Sequence, residues 1–185
     1  MSKLDLSLCP VIAAVKDDVQ LERALRSEIG VIFLLYGDIM NIASLCERVS
    51  TAGKKAIVHL DLVNGLSRRE IAADFIAKTT TAAGVISTKP AILRRAGELG
   101  LFTVLRVFVI DSMALGNLEH EVSLCNPDVV EILPGVMPDV IRHITQLCST
   151  PIVAGGLISS KKDILSALSA GAAAVSTTHE ESWSL

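Results

Sequence analysis

Eight short runs of branched aliphatic residues recur along the chain at nearly even spacing, and each gap between them is long enough for one helix. The runs are VIAAV from Val11, VIFLL from Val31, AIVHL from Ala56, GVIS from Gly84, FTVLRVFVI from Phe102, VVEIL from Val129, PIVAG from Pro151 and AAAVS from Ala172. Segments between them, such as DDVQLERAL, IASLCERV and REIAADFIA, carry apolar residues at helical spacing. Strands that read as unbroken apolar runs are buried on both faces, the situation of a parallel sheet covered by helices. Eight of them alternating with helices, with no linker or change of composition, predict one domain over residues 1–185, a minimal (β/α)8 barrel of the TIM type. Strand starts at 11 and 172 leave about 23 residues per repeat, which demands short helices and short loops. An open doubly wound sheet is the alternative.

The punctuation supports this division. Gly30, Gly53, Gly84, Gly100 and Gly171 stand where a helix should end before the next strand. Asp17 to Gln20 and Ser67 to Glu70 have capping-box spacing, and Pro90 and Pro138 suit a first helical turn.

Half of the residues are hydrophobic and only 3% aromatic, so Ala, Val, Ile and Leu must build the core. No apolar run approaches the ~20 residues that span a bilayer, and the start of the chain lacks a long apolar signal region; a soluble, cytoplasmic protein with no membrane partner is expected. Cys9, Cys46, Cys125 and Cys148 are scattered without metal-ligand spacing, which predicts reduced thiols, no metal and no cofactor. A net charge of −3 argues against whole-surface attraction to nucleic acid. A local patch would have to come from the pairs Lys54-Lys55, Arg68-Arg69, Arg94-Arg95 or Lys161-Lys162, each of which also reads as a solvated helix end.

In a barrel or an open α/β sheet, chemistry sits at the C-terminal ends of the strands. Gly155 and Gly156 end the seventh strand, and Ser176 and Thr177 the eighth, the place where such barrels hold a phosphate. Glycine would let the backbone approach the anion and the hydroxyls would donate. Lys16, His59, Asp61, Thr88, Lys89, Arg106 and Glu131 end the other strands. Strand alternation places His59 and Asp61 on one face. Glu131 lies between VV and IL, so its carboxylate needs a partner, and Arg106 on the adjacent strand is placed to supply one. That pair would either cap the core or meet a hydroxylated ligand. His59 also reads as a hydrogen-bonded core histidine, and Lys89, followed by Pro90, as a poor Schiff-base lysine. A barrel isomerase or aldolase acting on a small sugar phosphate, with Asp61 or Glu131 as base and Lys89 or Arg106 stabilising the anion, is the catalytic alternative.

The blocks PVIAAVK, HLDLVNGL, GVISTKP, EILPGVMP, IVAGGLI and AVSTT, in this order and spacing from Pro10 to Trp183, resemble the glycerol uptake operon antiterminator regulatory proteins, which respond to glycerol 3-phosphate. The resemblance implies a compact barrel without catalysis. It would sense glycerol 3-phosphate and, when loaded, bind leader mRNA so that transcription passes a terminator. Combined with the residues above, the phosphate would dock at Gly155, Gly156, Ser176 and Thr177, and the glycerol hydroxyls would turn toward Asp61, Arg106 and Glu131. Lys16, His59, Thr88 and Lys89 are further mouth residues. RNA binding follows from the resemblance alone, since the chain is acidic and poor in aromatic side chains; a homodimer is left open. Leu105 stands where some relatives are expected to carry glutamine, which leaves Arg106 in place.

Overall fold

The computed structural model describes residues 10–184, and over them the chain closes into a parallel eight-stranded barrel with strands in sequence order. The strands are β1 (Val11–Val15), β2 (Val31–Leu34), β3 (Lys55–His59), β4 (Gly84–Ser87), β5 (Phe102–Phe108), β6 (Val129–Leu133), β7 (Ile152–Gly155) and β8 (Ala174–Thr177). Helices α1 (Asp18–Arg26), α2 (Ile42–Thr51), α3 (Ile71–Thr79), α4 (Pro90–Glu98), α5 (Ser112–Cys125), α6 (Pro138–Leu147) and α7 (Lys161–Ser169) cover it. A 3-10 turn, Glu180–Ser184, stands where an eighth helix would follow. There Trp183 is buried, its Nε1 donating to the Thr177 carbonyl at 3.0 Å. The short repeat is met by strands of four to seven residues and almost no inserted loop, so the doubly wound alternative is excluded.

Alternation along the strands sorts the core into two layers. Ile12, Ala14, Val31, Phe33, Ile57, Ile86, Val104, Val129, Val153 and Ala174 pack inside the barrel. Their neighbours, Ala13, Ile32, Val58, Val85, Leu105, Val130 and Val175 among them, pack outward beneath the helices. The inward series continues upward to His59, Arg106, Glu131 and Ser176, which are buried polar residues closing the top of the apolar interior. Leu105 is on the outward side, so the residue type at this position bears on helix packing and not on the mouth.

The local signals divide. Asp17 caps α1, its Oδ1 accepting from Gln20 N at 2.8 Å, while Gln20 Oε1 accepts from Lys16 N. Ser67 caps nothing, because α3 begins at Ile71 behind an uncapped Glu70. The capping box that does form is Ser160 with Asp163 on α7. Gly53, Gly100 and Gly171 follow helices with positive φ, as expected. Gly84 is instead the first residue of β4, where a Cβ would collide with the Phe102 backbone. AAAVS enters the sheet two residues late, at Ala174, and Asp61 lies in the 3-10 turn after β3 (Leu60–Leu62), not on the strand. Cys46, Cys125 and Cys148 are free, and burial pushes the Cys46 and Cys125 thiols up to about 11. Cys9 lies outside the described residues. Among the described residues, no helix is long and apolar enough to cross a membrane.

Candidate functional site

The mouth is organised around Glu131. Its carboxylate is fully buried; Oε2 accepts from Arg106 Nε at 2.6 Å and Oε1 from Ser176 Oγ at 2.5 Å. The register makes this inevitable, since Arg106 is the partner of Glu131 across β5 and β6, and Ser176 reaches over Gly155 on the intervening β7. A buried carboxylate is tolerable only when paired and hydrogen-bonded, and here both oxygens are. Gly155 belongs to the same arrangement. A Cβ there would stand 2.6 Å from Glu131 Oε1 and 2.7 Å from Ser176 Oγ, so this glycine makes room for the carboxylate–hydroxyl bond.

Above this layer opens a cavity of about 600 Å³ lined by Lys16, Arg106, Glu131, Gly156, Ser176 and Thr177, together with Leu157, Ile158, Ser159, Thr178 and His179. Gly156 has φ +72° with Leu133 beneath it, a conformation that favours glycine. Its carbonyl accepts from Gly135 N at 3.1 Å. Gly135 could not carry a Cβ either, since it would sit 2.7 Å from Gly155 N. Lys16 and Arg106 supply the positive charge. Neither the Lys16 ammonium nor the Arg106 Nη groups bond within the described residues.

The hydroxyls are disposed differently from expectation. A hydroxyl has one proton to give. Ser176 gives its own to Glu131, and Thr177 gives its own to the Ile158 carbonyl at 2.6 Å while accepting from His179 N. Both therefore hold the framework, and Lys16, Arg106 and Ser159 are other side-chain donors that line this cavity. The N-terminus of α7 is also occupied: Asp163 Oδ2 accepts from Ser159 N, Ser160 N and Ser160 Oγ.

Asp61, His59, Thr88 and Lys89 form a second group, on the β3–β4 side and outside that cavity. Asp61 accepts from Thr88 N at 2.8 Å and from the Ser87 and Thr88 hydroxyls, clasping the turn that leads into α4. Lys89 Nζ donates to the Arg68 carbonyl at 3.2 Å. His59 is 3% exposed, and its Nδ1 is the one buried side-chain polar atom without a partner among the described residues. Asp61 Oδ2 is 3.9 Å away, beyond hydrogen-bond reach. Burial, with the nearby Arg106 charge, pushes the His59 imidazolium down to about 4, so the ring is neutral at pH 7. Thr88 and Arg106 meet again in a smaller cavity between the β4 and β5 loops.

Sequence reasoning missed Gly135, Ser159 and His179. Only His179 carried a usable signal, its position directly after Ser176-Thr177-Thr178.

Fold and mouth together define a (β/α)8 barrel whose open end presents free cationic groups above a buried ion pair. A family model described as glycerol-3-phosphate responsive antiterminator matches residues 11–183, and the chain belongs to that family. The uncharacterised protein YgcP of Escherichia coli K12 is 42% identical over 176 residues, which cover 95% of this chain and 92% of that protein. The crystal structure of a glycerol uptake operon antiterminator regulatory protein from Listeria monocytogenes superposes with a TM-score of 0.94 at 29% identity, covering 98% of each chain. A glycerol uptake operon antiterminator-related protein from Thermotoga maritima gives 0.83 at 32% identity, over 94% of this chain and 96% of that one.

Proposed function

We propose that this protein is a glycerol 3-phosphate sensor, not an enzyme, that binds leader mRNA when loaded and promotes transcription antitermination of glycerol-utilisation genes. The observation that carries the metabolite half is the pairing of Lys16 and Arg106 around one cavity, each with unspent N–H groups. A phosphate monoester brings about −1.5 to −2 charges. Two cations against the single Glu131 carboxylate favour such a ligand. The phosphate would rest on Gly156, Ser159 and Lys16, and the glycerol hydroxyls would turn to Arg106 and to the remaining lone pairs of Glu131, since a carboxylate offers about four acceptor sites. The regulatory half is supported by membership of the antiterminator family.

Thermal melts with glycerol 3-phosphate, inorganic phosphate and glycerol test the reading. At a hundred times its dissociation constant the phosphate ester should add ~2.7 kcal/mol of stability, and glycerol much less. Lys16→Ala should abolish most of that gain. Equal shifts with glycerol, or steady conversion of the ester to a product, would overturn the sensor.

A further inference from the structure

Arg106 is a wall shared by two cavities. Across it from the metabolite cavity lies one of about 340 Å³, between the β4–α4 and β5–α5 loops, lined by Thr88, Phe108, Ile110, Met113, Asn117 and Glu121. Its lip is apolar yet open to solvent: Phe108 is 51% exposed, Ile110 80% and Met113 70%. Single exposed apolar side chains need no explanation, but three around one cavity mark a contact surface. Asn117 and Glu121 face the same cavity one helical turn apart, and neither side chain bonds within the described residues.

Beside this cavity the rim is cationic. Among the described residues Arg68 and Arg69, in the loop after β3, are exposed and make no ion pair, and the Lys89 ammonium after β4 bonds only to a carbonyl. Since β3, β4 and β5 are neighbours, the three cations and the apolar lip occupy consecutive sectors of the mouth. On the flanks, arginines are neutralised instead: Arg48 by Asp18 and Glu22, Arg95 by Asp74 and Glu98. Lys54 is tied to the carbonyls of Ser27 and Ile29.

We propose that RNA docks over the β3–β5 sector of the mouth, one unstacked base entering the cavity behind Phe108, Ile110 and Met113 and its flanking phosphates lying on Arg68, Arg69 and Lys89. This rests on the antiterminator reading and adds the surface. Single-stranded RNA is recognised by splaying bases onto apolar and aromatic side chains and hydrogen-bonding their edges. Here Asn117 offers an amide donor and acceptor, and Glu121 accepts from an exocyclic amine. A polyanion satisfies the cationic arc, which a second copy of the chain, carrying the same arc, does not. Arg106 then supplies the coupling: a metabolite that orders the guanidinium from one side completes the base pocket on the other, so the two ligands tighten each other by equal factors.

The probe is a hairpin RNA enriched on the wild-type protein, with glycerol 3-phosphate present, from a pool with randomised loops. Arg68→Glu with Arg69→Glu should weaken it by ~tenfold or more and flatten the salt dependence by a slope of ~1.4, as expected for two lost phosphate contacts to a single strand. Phe108→Ala should weaken it ~fivefold or more through lost stacking. Metabolite binding should survive in both variants. Lys55→Glu with Lys78→Glu, the same charge change at the opposite end of the barrel, should leave RNA affinity unchanged. Equal losses from both charge reversals, or RNA binding that ignores Arg68, Arg69 and Phe108, would overturn the surface alone. A pool that yields no RNA would overturn the antiterminator reading with it. Dissociation of a dimer by Phe108→Ala, with RNA binding intact, would assign the lip to self-association.

Discussion

Gly155 and Glu131 are in contact range of one another through an atom that is not there: a Cβ on Gly155 would stand 2.6 Å from Glu131 Oε1, in the space that the Ser176 hydroxyl uses to reach the carboxylate. Gly155→Ala should therefore break the Ser176–Glu131 bond and cost ~2 kcal/mol or more, because a buried charged acceptor loses its donor. Urea denaturation measures this. A variant as stable as the parent would show that the carboxylate can move aside.

Truncation of either member of the Arg106–Glu131 pair leaves a buried charge without its partner. Arg106→Met and Glu131→Gln should each cost ~3–5 kcal/mol, and the double variant much less than their sum. Additive losses in the cycle would mean that the 2.6 Å contact contributes no coupling.

Acid should find His59. Its folded pKa, about 4, lies below the ordinary 6.5 because the charged ring would be buried beside Arg106. Between those two values the unfolded chain binds the proton that the folded chain refuses, so stability is full above pH 6.5 and falls as pH drops toward 4. The loss is on the order of 3 kcal/mol for one fully buried ring. His59→Leu should keep stability at pH 7 and remove that part of the acid slope. An unchanged slope in the variant would place the proton uptake elsewhere.

The first turn of α7 is closed by its own side chains, and Ser160→Ala opens it. The variant should lose ~1 kcal/mol of stability while its thermal response to glycerol 3-phosphate stays that of the wild type. Loss of the response would return the helix N-terminus to the phosphate site.

The barrel was legible in the sequence because its determinants are local and repeated. Eight apolar runs set the strands, the short repeat demanded brief helices and loops, and Pro90, Pro138, Gly53 and Gly100 marked helix boundaries through their own backbone preferences, while closure of the sheet, as against an open doubly wound one, was decided by the strand pairing. Even the Arg106–Glu131 pair was within reach, since a charged residue inside each of two adjacent apolar strands must find its partner across the ladder. The use made of each polar atom was not. Ser176 and Thr177 look like free donors until the fold brings Glu131, 45 residues away, and Ile158, 19 residues away, to within hydrogen-bond distance and takes their protons. Gly155 reads as a strand-end glycine open to a ligand, and Gly135 carries no signal, until β6, β7 and β8 are laid side by side and the space where a Cβ would stand proves to be filled. Helix and strand type follow from residues near in sequence; which acceptor receives a given proton depends on register between strands, and that exists only once the barrel has closed.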